Sequence, residues 1–241
     1  MTDENPPTPD AVVAGVDASS AGWVVVTTTL DFAATAIAVV DAIAPIIEQR
    51  RSGALCALGI DMPMGLPTVE PRASDAAARA FIGPRRAAVF PTPIRAVLDH
   101  VDDYPAANAV AKERSGRGLS KQAFNLLPRV AELDEALGEQ PPSLVAEVHP
   151  ECCFAALAGG PDLASKKSAA GVGQRLRLLM AIFGSTVVDH LAAMPPGVAP
   201  DDVLDACAVA WTATRLATGT ARPLGNPDAR DERRRPMVIW V

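Results

Sequence analysis

The sequence is poor in aromatic residues. Phe, Trp and Tyr make up 4% of its 241 residues, whereas hydrophobic residues reach 49%, so the core must be packed mainly with Ala, Val, Leu and Ile. Proteins that bind single-stranded nucleic acid stack bases on aromatic side chains, which are scarce here. The net charge of -6 also gives no general attraction for phosphate backbones. Composition therefore argues against a broad nucleic-acid-binding surface, although a local basic groove stays possible.

The sequence also lacks metal-type cysteine spacing and long apolar runs. Its four cysteines are isolated or adjacent, and no segment is apolar enough to span a membrane or to act as an N-terminal export signal. We therefore expect a cytoplasmic protein with no membrane partner. Residues 1–10 are polar and proline-rich, which predicts a disordered leader before a single domain at 11–241. The oligomeric state stays unknown.

The order of predicted elements indicates an α/β fold with a mixed β-sheet flanked by helices. Two β-rich runs, 11–18 and 22–29, are separated by a turn sequence and predict a hairpin. Asp41 is a suitable N-cap for a helix that runs to Arg51. Further strands are predicted at 36–40, 55–60, 143–148 and 237–241, and helices at 120–137, 151–157, 169–183 and 202–218. The stretch from about 70 to 140 forms an added helical insertion.

Four aspartates interrupt apolar segments. Asp17 and Asp61 each follow a strand, whereas Asp202 and Asp205 lie three residues apart on one face of the late helix. Carboxylates are rarely left in apolar surroundings without a partner. Acids from two strand ends and a helix face can form a cage of oxygen ligands for a hard divalent cation. The pattern predicts a metal-dependent enzyme that uses Mg²⁺ or Mn²⁺.

Three of these acids also have structural interpretations. Asp17 can close the first hairpin as a turn residue, and Asp61 can form a turn before Pro63. Asp202 can cap the helix that begins after Pro200. Asp205 is harder to explain in this way, because it lies inside a helix that is apolar nearly all round.

Seven short motifs, in this order along the chain, resemble the uncharacterised family of predicted RNase H-like nucleases, which is related in fold to RuvC-type resolvases. They are Gly15-Val16-Asp17 with Gly22-Trp23, 60–67, 85–93, 119–122, 147–151, 165–167 and 201–206. The resemblance extends from residue 12 to about 238. It implies an RNase H-like mixed sheet and metal-assisted phosphodiester hydrolysis, with Asp17, Asp61, Asp202 and Asp205 as metal ligands. RuvC-type enzymes usually carry Glu where this chain has Asp61.

Further candidate residues surround these acids. Glu147 and His149 point to the same side of a predicted strand. They are either a structural hydrogen-bonding pair, or an extra catalytic ligand and a phosphate contact or proton carrier. The resemblance also implies that four basic residues surround a bound phosphate: Arg85, Arg86, Lys166 and Lys167.

Two functions remain open. The first is a nuclease or phosphodiesterase whose substrate is nucleic acid or a small phosphoester. The alternative is a non-catalytic protein of RNase H-like fold that binds nucleic acid or nucleotides. A phosphotransferase of the sugar-kinase and actin type is disfavoured, because such proteins join two RNase H-like units and this chain is long enough for about one.

Overall fold

The computed structural model describes residues 7–241, so residues 1–6 of the predicted leader lie outside the described part. Thr8–Asp10 forms a turn, in which the Pro9 carbonyl accepts a hydrogen bond from Leu30 N at 3.1 Å. The described strands are β1 (Val12–Ser19), β2 (Gly22–Thr29), β3 (Thr35–Val40), β4 (Ala57–Ile60), β5 (Val145–Val148), β6 (Pro223–Leu224) and β7 (Ile239–Trp240). The helices are α1 (Ala44–Arg51), α2 (Ala73–Phe81), α3 (Tyr104–Ser115), α4 (Lys121–Leu137), α5 (Pro150–Leu157), α6 (Ala169–Phe183), α7 (Thr186–Ala193) and α8 (Pro200–Ala217).

The strands form one mixed sheet in the order β3-β2-β1-β4-β5-β7-β6. Strands β1, β2 and β3 are antiparallel neighbours, whereas β4, β5 and β7 run parallel to β1. The predicted hairpin and the mixed α/β class are therefore confirmed. Because β1, β4 and β5 are adjacent and parallel, their carboxyl ends lie side by side at one edge of the sheet.

Local signals located some element boundaries well and others poorly. Helix α4 begins as predicted, because the Ser120 side chain accepts a hydrogen bond from Ala123 N at 3.1 Å. The predicted cap at Asp41 is wrong: α1 is preceded by Ile43, which forms no side-chain cap, and a proline in its first turn favours the start there. Helices α2 and α3 lie within the predicted helical insertion, for which no individual bounds were predicted, whereas helix α7 and strand β6 were not predicted. The insertion contains α2, α3, α4 and two short 3₁₀ helices, Gly83–Ala88 and Arg95–His100.

Helices cover both faces of the sheet. Helices α1 and α4 pack on one face around Trp23, whose indole Nε1 donates to Glu132 Oε1 at 2.9 Å. Helices α5, α6, α7 and α8 pack on the other face around Phe154 and Leu204. Among the described residues, no single helix has the length and hydropathy of a membrane span; α6 and α7 meet that criterion together, as a pair bent by 118°.

Helix α8 makes an unusually close contact with β1. A Cβ atom on Gly15 would lie 2.0 Å from Ala210 N and 2.5 Å from Ala206 O, so only glycine allows the helix backbone to reach the strand. Alternate residues of β1 face this helix. Val13 packs near Ala213, and Gly15 lies under Ala210. The next residue on that face, Asp17, therefore lies towards the N-terminal part of α8.

We expect Gly15→Ala to lower the free energy of unfolding by about 1–3 kcal/mol, because the new methyl group overpacks a backbone contact. Gly173→Ala in α6 is the matched control, since nothing lies within 4 Å of its added Cβ. That change should raise stability by about 0.5–1 kcal/mol, as alanine favours a helix over glycine. Urea denaturation measures both variants. Equal responses would contradict the close contact.

Candidate functional site

Asp17 and Asp61 lie next to each other at the carboxyl ends of β1 and β4. Asp17 pairs with Val24 within the hairpin, so it is a strand residue and its interpretation as a turn residue is wrong. Val16 pairs with Ile60, and Asp61 N donates to Val16 O at 2.9 Å. Continuing that register by one residue sets Asp61 beside Asp17.

Asp205 approaches this pair from the second turn of α8. Its side chain is buried, and its Oδ2 accepts from Lys166 Nζ at 2.7 Å. Asp17 is also buried, and its Oδ1 accepts from Ala18 N at 2.7 Å. The partly exposed Asp61 carboxylate has no hydrogen-bond partner within residues 7–241. Together, the three acids therefore have few hydrogen-bond partners.

The pKa values of the three acids reflect this shortage. Burial, followed by the charges of Asp61, Asp205 and Asp202, raises the pKa of Asp17 well above its usual value. Burial raises the pKa of Asp61 and of Asp205 to about 7, although the Lys166 ammonium opposes the rise in both cases. The charges of nearby carboxylates raise both pKa values further. A cation at this point would relieve both the burial cost and the repulsion.

Asp202 does not line the cavity with these three acids, although its charge reaches Asp17. Its Oδ2 accepts from Ala199 N at 3.0 Å, which is the capping role considered as an alternative above. Its neighbour Asp201 lies 3.3 Å from Lys166 Nζ. The structure therefore brings together Asp17, Asp61 and Asp205, whereas Asp202 stabilises the start of α8.

A cavity of about 470 Å³ opens beyond the carboxyl ends of the parallel strands, where ligands bind in open α/β sheets. The predicted site residues that line it are Asp17, Asp61, Arg85, Glu147, His149, Lys166, Lys167 and Asp205. Two predicted residues, Asp202 and Arg86, do not, and the Arg86 side chain is exposed.

Glu147 is held by an arginine that sequence reasoning missed. Its two oxygens accept from Arg72 Nη1 at 2.7 Å and Nη2 at 2.6 Å, and Met64 N donates to it at 2.9 Å. Glu147 pairs with Ile60 in the β4–β5 ladder, so it faces the opposite side of the sheet from Asp61. Its partner is thus Arg72 rather than His149. This ion pair leaves little of the carboxylate for a metal, in contrast to the predicted catalytic role.

The guanidinium group of Arg85 also has a carboxylate partner. It donates to both oxygens of Glu151 at 2.8 Å, and Arg175 donates to the same two oxygens at 3.0 and 2.8 Å. Both guanidinium groups also bind the Ala164 carbonyl. Arg85 was predicted to contact phosphate, yet here it ties the insertion to α5. Glu151 lies in a motif quoted above, but only the tertiary structure reveals its two partners.

His149 is the N-cap of α5. Its Nδ1 accepts from Glu151 N at 3.3 Å, so the neutral ring carries its proton on Nε2. Burial lowers the pKa of His149, against the charges of Glu151 and Asp205, which raise it. The lowered pKa favours the neutral ring at pH 7, and a backbone hydrogen bond with Ala88, which raises the pKa, engages its N–H.

The family model described as "Protein of unknown function (DUF429)" matches residues 15–230. The chain belongs to the DUF429 family. The matched range contains every cavity-lining acid and base described above. No curated protein and no solved structure matches the chain.

The acids of this DUF429 protein fit a hard divalent cation by chemistry. Carboxylate oxygens are its preferred ligands, and Asp17, Asp61 and Asp205 are short of other partners. Within residues 7–241, however, no three His, Cys, Asp or Glu side chains stand ready as a ligand set. Lys166 instead provides the positive charge beside Asp205. Side-chain rotation would be needed for the three acids to share one ion.

We expect Arg72→Met to destabilise the DUF429 protein by about 3–5 kcal/mol, because it leaves the buried carboxylates of Glu147 and Asp75 without their charge partner. Arg117→Met removes an exposed guanidinium and is the matched control, expected to change stability by less than about 0.5 kcal/mol. Guanidinium chloride denaturation measures both. A small effect of Arg72→Met would show that Glu147 is free of this pair in solution.

We also expect Asp61→Asn to change how stability depends on pH. The pKa of Asp61 is 3.8 when unfolded and about 7 when folded. Between these values the folded state binds a proton that the unfolded state releases, so stability falls as pH rises from 3.8 to about 7 and levels off above. Without metal, the variant should lose less stability than wild type between about pH 5 and about pH 8. Parallel profiles for wild type and variant, with Asp102→Asn as an exposed control, would refute this.

Proposed function

We propose that this DUF429 protein is a metal-dependent phosphodiesterase of RNase H-like fold that acts on nucleic acid or a small phosphoester. One observation carries the proposal. Asp17, Asp61 and Asp205 come from two strand ends and a helix, converge on one cavity, and have a single lysine as their nearest cationic partner. A structural role alone gives no reason to collect three poorly paired acids in this way.

The fold is compatible with this proposal. The sheet combines the antiparallel β1–β3 with the parallel β4 and β5, which supports the mixed sheet that the RNase H-like resemblance implies. The acids lie at the ends of β1 and β4 and in α8, the elements in which that resemblance expects them. Fold likeness alone does not establish an activity.

The chain's own residues would then have separate tasks. Asp17, Asp61 and Asp205 would hold Mg²⁺ or Mn²⁺, and Asp202 would keep the first turn of α8 in place. When bound, the metal would lower the pKa of a water and stabilise charge on the leaving oxygen. Lys167, exposed at the cavity, would attract the phosphate. His149 would reach a phosphate oxygen only by exchanging its backbone partner Ala88 for the ligand.

The same proposal places the protein in the cytoplasm. Its four cysteines are free in the structure, and three of them are buried. A reducing compartment suits such thiols.

The alternative is a non-catalytic protein that binds nucleic acid or nucleotides. Lys166 favours it, because its ammonium pairs with Asp205 at 2.7 Å and with Asp201 at 3.3 Å. In this interpretation Lys166 neutralises the acids permanently, and no metal is required.

Thermal denaturation with Mg²⁺ or Mn²⁺ separates the two functions. A cation that binds only the folded protein should raise the melting temperature of wild type by mass action. Asp17→Asn should lose most of that rise, because it removes one anionic ligand, whereas the exposed Asp102→Asn should keep it. A wild-type melting curve that neither metal changes would favour the non-catalytic alternative.

Hydrolysis is the direct test of the enzyme. With Mn²⁺, wild type should cleave at least one of single-stranded, duplex or branched DNA, RNA, RNA–DNA hybrid or small diesters. Asp61→Asn should lower turnover by at least about 100-fold, because a displaced ion misplaces the attacking water. Asp102→Asn should retain wild-type turnover. Failure of metal-loaded wild type on the whole panel would refute the phosphodiesterase.

A further inference from the structure

The cavity has two unlike walls. One wall is polar and carries Asp17, Asp61, Asp205 and Lys166 from the sheet end and α8 side. The second, which we call the apolar wall, is a group of lining residues from the insertion: Phe90, Pro91, Pro93, Leu126 and Val130. The insertion also contributes polar lining residues, including Arg72, Asp75 and Gln122. A volume of about 470 Å³ lies in the range of pockets that enclose small ligands. An apolar wall is not needed to hold a phosphate.

The Phe90 part of the apolar wall is held in position by Arg72 and α2. Asp75 accepts from Thr92 N at 2.8 Å and from Thr92 Oγ1 at 3.1 Å, while Arg72 donates to the same carboxylate. Arg79 Nε donates to Val89 O at 2.9 Å. The segment that carries Phe90 is therefore held at both ends. A wall prepared in this way loses little conformational entropy when a ligand packs against it.

The cations around the cavity are already distributed among carboxylates. Arg72 pairs with Glu147, Arg85 with Glu151, and Lys166 with Asp205. Of the lysines and arginines that line the cavity, Lys167 alone has no carboxylate partner in the described chain. Nucleic-acid backbones are bound by rows of cations that neutralise several phosphates. This cavity can serve one phosphate group and lacks such a row.

From these walls and charges we infer the substrate class of the proposed enzyme: a small phosphodiester of nucleotide size, whose phosphate faces the acids and whose flat organic group packs on Phe90. The inference rests on the proposed function. Gln122, exposed at the cavity, carries an amide that can both donate to and accept from the polar edge of such a group. The net charge of -6 also disfavours a polyanionic substrate.

Calorimetric titration in the presence of Mn²⁺ tests this inference with three probes: adenosine 5′-monophosphate, inorganic phosphate and a DNA duplex. The nucleotide is the kind of monoester that diester cleavage leaves, so it can occupy the site without being cleaved. Wild type should bind the nucleotide more tightly than either other probe. Phe90→Ala should weaken nucleotide binding about tenfold, because stacking is lost, and leave phosphate binding unchanged. Phe81→Ala is the matched control; Phe81 lines a separate cavity beside Arg222, so both affinities should stay at wild-type values.

Each outcome decides the inference. Unchanged nucleotide affinity in Phe90→Ala, or in Phe90→Leu if the alanine variant does not fold, would overturn the apolar subsite. Tighter binding of the duplex, or of a single-stranded oligonucleotide, than of the nucleotide would overturn the small substrate and leave the phosphodiesterase intact. If wild type binds none of the probes with Mn²⁺, the proposed function itself fails, and this inference fails with it.

Discussion

The contact between Gly15 and the backbone of α8 determines where the candidate site lies. A side chain at this position would meet Ala210 N at 2.0 Å, so the helix can lie against β1 only because glycine has none. Gly59 on the neighbouring strand β4 faces the same helix, where an added Cβ would lie 2.9 Å from Val209 Cγ1. These two glycines allow α8 to cross the strands closely. Asp205 then comes within electrostatic reach of Asp17 and Asp61.

The distribution of buried charge explains why these acids differ from the others. Glu147 and Glu151 each have arginine partners, and Asp75 shares Arg72. These pairs connect the sheet to the insertion and to α6, and they make buried carboxylates tolerable. The acids at the ends of β1 and β4 have no such arginine. Burial, which the charge of Lys166 offsets only in part, raises their pKa values, and raised pKa values are a common feature of functional sites.

Sequence patterns predicted the structural features that depend on residues close together in the chain. Turn residues between two β-rich runs predicted the first hairpin, and an acid inside an apolar helix singled out Asp205. Asp202 has the capping role that was its alternative interpretation. The sequence could suggest this role because the start of a helix at Pro200 depends on neighbouring residues. Within the predicted helical insertion, the individual bounds of α2 and α3 were not predicted because their surroundings are proline-rich. The role of Asp17 was ambiguous in the sequence, since the end of a strand and the start of a turn have similar composition.

The sequence by itself determined the mixed α/β class, the order of the main strands and a set of four acids, three of which share a cavity. Only the tertiary structure decided which cations remain for a ligand. Arg72 and Glu147 are 75 residues apart, Arg85 and Glu151 are 66 apart, and Lys166 and Asp205 are 39 apart. Such pairs leave no periodic pattern, because they depend on how the insertion and α6 pack on the sheet rather than on local backbone geometry. For the same reason, the sequence did not predict the apolar wall at Phe90.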